Sequence, residues 1–304
     1  MTTSRMCKFF AASVKIAHRS SFKSNGRNLS RAITVLRCNP RARKWVSGLS
    51  RFDGLPGRGQ RERFPLARIM EYMETLQKKI AVVTGGTRGI GRAISERLLR
   101  EGVVVAICGR SPESVERAVG EMSPLGSVHG RAADIRSVEA VRGFFGWVDE
   151  KLGGVDILVN NAGEAVFGKV AELQAEDWLR NIDLNLNAAY YCSHEALARF
   201  ARRGGGFIVN ISSLAGKNAF SGGAAYNASK FGLNGFTEAL MLDHRYDNVR
   251  VSCIMPGSVN TDFGEKADWK IAPEDVAEVV VTVLRMPART LVSRVEMRPS
   301  QPKK

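Results

Sequence analysis

From about residue 77 onward the chain alternates two kinds of hydrophobic pattern. Short runs of consecutive apolar residues stand at 79–84, 103–108, 128–133, 155–159, 206–211, 249–254 and 290–297. Between them lie longer stretches in which apolar positions recur every three or four residues, as in Ala93, Ile94, Leu98 and Leu99, or Val141, Phe144, Phe145 and Val148. The first kind predicts buried strands and the second amphipathic helices. Punctuation agrees. Gly102 stops the first helix, Ser111-Pro112 starts the second with a cap and a proline at its first position, and Pro273 starts the last, which runs through Val283. Two helices are expected to be long, 175–200 and 224–246. Alternating strands and helices, with strands apolar along their length, predict an α/β fold. It is a Rossmann-type, doubly wound parallel sheet of seven strands with helices on both faces. In such sheets ligands bind beyond the carboxyl ends of the strands, so the chemistry is sought there.

The first strand ends in the run Thr84-Gly85-Gly86-Thr87-Arg88-Gly89-Ile90-Gly91. Glycines at 85, 89 and 91 permit a tight turn and close approach of a pyrophosphate to a helix N-terminus, and Thr87 and Ile90 share that turn. An ordinary strand-to-helix turn is the plain alternative. The second strand ends in Gly109-Arg110. An acid about 20 residues past the glycines would hold the ribose hydroxyl of NAD. An arginine instead suits the 2′-phosphate of NADP, with Arg88 as a second cation. The alternative for Arg110 is a solvated loop residue. Asp134-Ile135 follows the third strand and suits an adenine, or else caps the next helix. The fourth strand leads into Asn160-Asn161-Ala162-Gly163, the fifth into Ser212-Ser213, and the sixth into Pro256-Gly257-Ser258-Val259-Asn260-Thr261.

Tyr226 and Lys230 lie four apart in a helical stretch and therefore on one face. A free tyrosine has a pKa of about 10, and a neighbouring ammonium lowers it toward the range of a general acid or base. A half-buried tyrosine beside a solvated lysine would read the same way in isolation.

Together these motifs resemble the short-chain dehydrogenase/reductase family in its single-domain form, over about residues 77–298. The match consists of Thr-Gly-x-x-x-Gly-x-Gly, Asn-Asn-Ala-Gly, a serine thirteen residues before the tyrosine, Tyr-x-x-x-Lys, and Pro-Gly, in that order. The resemblance implies an NADP-dependent oxidoreductase, with NAD the less favoured cofactor, acting on a small carbonyl or alcohol substrate. It makes Tyr226 the general acid or base, Ser213 the oxyanion donor, and Lys230 the group that lowers the Tyr226 pKa and binds the nicotinamide ribose. Asn185 takes the position that opens a helix and holds a relay water, with Asn187 as its near neighbour. Asn161, Ala162 and Gly163 would line the cofactor, and Val259 and Thr261, after Pro256-Gly257, would hold its carboxamide and phosphate. The family's acyl-carrier-protein reductases carry a two-helix lid after Pro-Gly. Here only residues 262–271 intervene, which predicts an open cleft and a broader reductase of ketones, aldehydes or hydroxy acids. A catalytically idle NADP-binding regulator on the same fold is the rival. A homodimer or homotetramer built on the two long helices and an apolar seventh strand is expected. An epimerase of the extended family would need a substrate domain after residue 260.

Composition changes the picture at one end only. The 304 residues are 44% hydrophobic and 25% charged, ordinary for a globular chain, and the net charge of +15 at first suggests nucleic acid. Residues 1–72 carry 16 Lys/Arg against 3 Asp/Glu, so the remainder is nearly neutral and a nucleic-acid or membrane-surface role is disfavoured. Arg-rich, Ser-rich and acid-poor, this leader has the composition of an organelle transit peptide. The other reading is upstream sequence before a start at Met70 or Met73. Either way it is expected to be disordered, ahead of a single domain at 73–304. The expected compartment is the cytoplasm, or a mitochondrial or plastid matrix if the leader is a transit peptide. Five cysteines without two-residue spacing read as buried small hydrophobes in a reducing compartment, and four scattered histidines with no ligand spacing to a second His or Cys argue against a metal site.

Overall fold

The computed structural model describes residues 73–302; the expectations for the basic leader fall outside them. Seven parallel strands run in the order β3-β2-β1-β4-β5-β6-β7. They are β1 (Ile80–Thr84), β2 (Val104–Gly109), β3 (Val128–Ala132), β4 (Ile157–Asn160), β5 (Gly206–Ile211), β6 (Val249–Pro256) and β7 (Arg294–Met297). The helices between them are α1 (Gly89–Arg100), α2 (Pro112–Met122), α3 (Val138–Leu152), α4 (Ala175–Ile182), α5 (Ala188–Arg203), α6 (Ala224–His244) and α7 (Pro273–Leu284). The order reverses between β1 and β4, so the carboxyl ends of β1 and β4 diverge into a crevice.

Successive side chains of a strand point to opposite faces, which divides the core in two. Ala81 and Val83 of β1 pack with Ile94 and Leu98 of α1 and with Val280 and Leu284 of α7. Val82 packs on the other face with Phe144, Phe145 and Val148 of α3 and with Cys192, Ala196 and Phe200 of α5. Fully burying an aliphatic or aromatic side chain contributes roughly 1.5–3 kcal/mol, so these two layers hold the crevice walls rigid. Asp156, just before β4, ties the base of the sheet together. It accepts from the Ile80 amide at 2.8 Å and, through both carboxylate oxygens, from Arg203 at 2.9 and 3.0 Å.

Three expectations need correction. The edge strands are not apolar throughout: β3 reads VHGRA and β7 reads RVEM, and both are largely half-exposed or exposed. An edge strand has one strand neighbour and thinner helix cover, so it needs less apolar surface. The seventh strand is shorter than 290–297, because the Thr290 amide is used in a turn to the Pro287 carbonyl. The helix expected over 175–200 is broken into α4 and α5 by one π-type turn, Asp183–Asn187. The buried cysteines within the described residues, Cys108, Cys192 and Cys253, are free thiols. Burial pushes the Cys108 thiol up to about 12, so it behaves as a small hydrophobe. No helix of the described residues is long and apolar enough to cross a membrane.

Candidate active site

The crevice is a cleft of about 960 Å³ at the carboxyl edge of the sheet. Its floor is the turn after β1. Gly85 and Gly89 hold φ of +66° and +56°, a backbone that side-chain-bearing residues rarely adopt. Gly91 is needed for a different reason. A Cβ there would stand 2.3 Å from Asn161 Nδ2 and 2.4 Å from the Gly85 carbonyl oxygen, so only glycine lets α1 seat against the turn. Arg88 precedes α1 in an extended conformation without capping it by its side chain, and the first turn of α1 carries no acid. Its free amides and dipole face the cleft, which suits an anion.

Of the residues singled out from the sequence, Gly85, Thr87, Arg88, Gly89 and Ile90 line the cleft, with Arg110, Asp134 and Ile135 along the same side. Asn161, Ala162 and Gly163 line it from β4, and Pro256, Gly257, Val259 and Thr261 from β6. Gly91 and Asn185 do not reach its surface. Arg88 and Arg110 are both exposed. Asp134 does not cap α3, which is capped by Ser137 accepting from the Ala140 amide at 3.2 Å. Instead its carboxylate accepts from Arg136 Nε at 2.9 Å, and that bond holds it below the usual carboxylate range, with Arg110 adding to the effect. The Asn161 side chain also faces inward, donating to the Thr84 carbonyl at 2.9 Å and fixing β4 against the glycine turn.

Ser213, Tyr226 and Lys230 come together at the far end of the cleft. Ser213 accepts from the Ala215 amide at 3.1 Å and stands beside the Tyr226 phenol. The Lys230 ammonium lies 5.8 Å from the Tyr226 ring centroid and donates to the Ile211 carbonyl at 3.1 Å, at the end of β5. Lys230 is 4% exposed, and burial lowers its pKa to about 8. The expected depression of the Tyr226 pKa does not occur in this geometry. Burial raises it, and the hydrogen bond with Ser213 only partly opposes that. Desolvation penalises the phenolate more strongly than an ammonium already engaged with a carbonyl can favour it.

Asn185 sits in the π-type turn and is buried. Its Oδ1 accepts from the Glu164 amide at 2.9 Å, and its Nδ2 donates to the Glu164 carbonyl at 2.8 Å and to Ser229 Oγ at 3.0 Å. Ser229 in turn donates to the Tyr226 carbonyl at 2.8 Å. The loop after β4 is thus tied to the helix that carries Tyr226. Asn187 turns away and donates to Asp183 at 2.8 Å.

Two groups of residues escaped the sequence reading. Asn234 lies on the Tyr226–Lys230 face of α6, one turn further on. It accepts from Ser212 Oγ at 2.6 Å and donates to the Gly216 carbonyl at 2.8 Å, anchoring the loop that holds Ser213. Its four-residue spacing from Lys230 was the available signal. Phe167, Phe220 and Phe263 wall the Tyr226 end from three separate loops. No local period marks them. Residues 262–271 therefore do not leave the cleft bare, since Phe263 packs 6.0 Å from the Tyr226 ring.

A seven-stranded doubly wound sheet with a glycine turn at one end of its crevice and a serine, tyrosine and lysine at the other defines a class of single-domain oxidoreductases. The chain belongs to the short-chain dehydrogenase family, whose family model, described as short chain dehydrogenase, matches residues 79–271. A 3alpha-hydroxysteroid dehydrogenase of Mediterraneibacter gnavus is 36% identical over 191 residues, 62% of this chain and 76% of that protein. A putative ketoacyl reductase of Streptomyces coelicolor is 35% identical over 231 residues, 73% of this chain and 86% of that protein. Among solved structures, a metagenomic short-chain oxidoreductase in complex with NADP is 35% identical and superposes with a TM-score of 0.68, covering 75% of this chain and all of that one.

Proposed function

We propose that this protein is an NADP(H)-dependent reductase that interconverts a ketone or aldehyde with the corresponding alcohol. The observation that carries the reading is the single cleft joining the Arg88–Arg110 end to the Ser213–Tyr226–Lys230 end. The residues fit the cofactor. The glycine turn and the uncapped start of α1 suit a backbone-bound pyrophosphate, and the two exposed arginines lining the same cleft, Arg88 and Arg110, would suit a 2′-phosphate. The names of the two relatives, a hydroxysteroid dehydrogenase and a ketoacyl reductase, fit a carbonyl–secondary alcohol couple.

When bound, the nicotinamide supplies or accepts the hydride. The chain's residues handle the proton and the charge. Ser213 donates a hydrogen bond to the carbonyl oxygen and stabilises the negative charge that develops there. Tyr226, kept protonated at neutral pH by burial, transfers its phenolic proton to that oxygen. Lys230, largely charged below about pH 8, stabilises the phenolate left behind and would donate to the ribose hydroxyls. The reverse direction needs the phenolate and is favoured at higher pH.

The test is loss of NADPH absorbance by the full chain over a panel of ketones, aldehydes, keto acids and 3-oxoacyl thioesters. Turnover that falls by about 10²–10⁴ in Tyr226→Phe, with NADPH binding retained, is the expected result. Bound NADPH with no turnover of any panel member overturns the reading.

The protein is further proposed to be a homo-oligomer. Tyr190 on α5 and Phe231 and Leu242 on α6 are each about half exposed to solvent, on helices whose other faces pack on the sheet. Light scattering of the full chain tests this, and a monomer at micromolar concentration overturns it.

A further inference from the structure

The Tyr226 end of the cleft carries an unusual amount of exposed aromatic surface. Phe167, Phe220 and Phe263 are 55%, 46% and 51% exposed, and all three line the cleft. The Phe167 ring stands 5.8 Å from the Tyr226 ring at 80°, and Phe220 stands 5.7 Å from Phe167 at 65°. Phe263 closes the third side from the 262–271 segment. Clustered apolar side chains that remain open to water mark a binding surface rather than a core.

This wall is built, not draped. The Gly168 amide donates to the Gly222 carbonyl at 2.8 Å, stitching the Phe167 loop to the Phe220 loop. Asn227, next to Tyr226 on α6, donates to the Phe220 carbonyl at 3.2 Å. The Phe220 ring lies over Gly223, where a Cβ would stand 2.5 Å from Phe220 Cε2. The ring position is therefore set by a residue that lacks a side chain, and Phe167 and Phe220 are held in the cleft lining at the Tyr226 end before any ligand arrives.

The charges lining the cleft do not favour an anionic substrate here. Among the described residues, the cations that line it are Arg88, Arg110, Lys230 and Lys270. Arg88 and Arg110 belong to the glycine-turn end. Lys230 is buried beneath Tyr226, and the Lys270 ammonium donates to the Glu265 carbonyl. A carboxylate beside the reacting carbonyl would meet mainly aromatic carbon, and the one lining cation left to it among the described residues, Lys270, is tethered to the Glu265 carbonyl.

We infer that the substrate is an uncharged ketone with a flat apolar ring system next to the carbonyl, held between Phe167, Phe220 and Phe263 while its oxygen reaches Tyr226. Aromatic pairs favour edge-on or offset contact with an inserted ring, and the three faces supply it. This inference rests on the reductase reading and narrows it to a substrate class.

The test compares 2-acetonaphthone, acetone and acetoacetate with the full chain and NADPH. The expected kcat/KM for the naphthyl ketone exceeds that for acetone by about a hundredfold, the scale that a few well-made apolar contacts provide. In Phe220→Ala and in Phe167→Ala the naphthyl-to-acetone ratio falls by about tenfold, and Phe220→Leu restores part of it. Calorimetric titration of 2-acetonaphthone into NADP⁺-saturated Tyr226→Phe provides a readout independent of turnover. Binding there without reduction by the native chain supports the substrate class and overturns the reductase reading. Equal or better turnover of acetone or acetoacetate leaves the reductase reading standing and overturns the substrate class. Absence of both binding and reduction overturns the substrate class as well.

Discussion

Asn185 holds the main chain of Glu164 by both of its polar atoms, accepting from the amide at 2.9 Å and donating to the carbonyl at 2.8 Å. A side chain 21 residues away thereby takes the place of a strand partner for the loop that follows β4. Asn185→Leu leaves both Glu164 groups without a partner in a part-buried site, at roughly 1–3 kcal/mol each. The expected result is a fall in urea midpoint worth about 3 kcal/mol, together with lost turnover, because the same carboxamide reaches Ser229 and through it Tyr226. Asn185→Asp keeps the acceptor and loses the donor, so it should fall between. Unchanged stability in Asn185→Leu would show that the clamp is not formed in solution.

Lys230 makes stability depend on pH in a particular direction. Its folded pKa of about 8 lies below its ordinary 10.5, so between those values the unfolded chain binds the proton more readily. Stability from this group therefore rises with pH across that window, by about 2 kcal/mol between pH 7.5 and 9.5. Lys230→Met removes the dependence. Denaturant unfolding of both proteins at the two pH values isolates it, and parallel behaviour of the two would disprove the assignment.

Arg110 directly follows β2 and lines the cleft, exposed and within electrostatic reach of Asp134. Charge-assisted hydrogen bonds contribute about 1.5–3 kcal/mol, so Arg110→Asp should weaken NADPH binding about ten- to a hundredfold while leaving NADH binding little changed or improved. Equilibrium titration by NADPH fluorescence at low and high salt checks this. The native advantage of NADPH should shrink as salt rises.

Gly91→Ala places a methyl group 2.3 Å from Asn161 Nδ2 and 2.4 Å from the Gly85 carbonyl oxygen. The neighbours are a turn and a side chain already bonded to the Thr84 carbonyl, so neither yields readily. A loss of about 1–3 kcal/mol and weakened dinucleotide binding are expected, read by thermal unfolding with and without NADPH. If cofactor affinity survives intact, the close approach of α1 to the turn is not needed for binding.

Asp156→Ala tests the opposite edge of the sheet. It strips the Ile80 amide and the Arg203 guanidinium of a shared buried partner, and a loss of about 3 kcal/mol is expected in denaturant unfolding. A loss under about 0.5 kcal/mol would show that water replaces the carboxylate there.

Much of the molecule was legible in the residues themselves. Apolar runs such as Ile80–Val83 bury on both faces of a parallel sheet and therefore advertise themselves, whereas β3 and β7 lie at its edges and do not. Tyr226 and Lys230 share a helix face by spacing alone. Asn234 continues that face, yet from sequence an asparagine bonded to a distant loop looks like any other polar position. The π-type turn at Asp183–Asn187 could not be read from helical periodicity, because it exists to aim Asn185 at a residue in another segment.

The sequence by itself determined the order of elements, the glycine turn, and which groups could carry a proton. These follow from backbone sterics and fixed helical spacing, which act over a few residues. The tertiary structure alone decided the direction of the Tyr226 pKa, upward, because desolvation depends on everything packed around the phenol. It alone decided that Phe167, Phe220 and Phe263 gather at the Tyr226 end of the cleft, since they come from loops joined only in three dimensions.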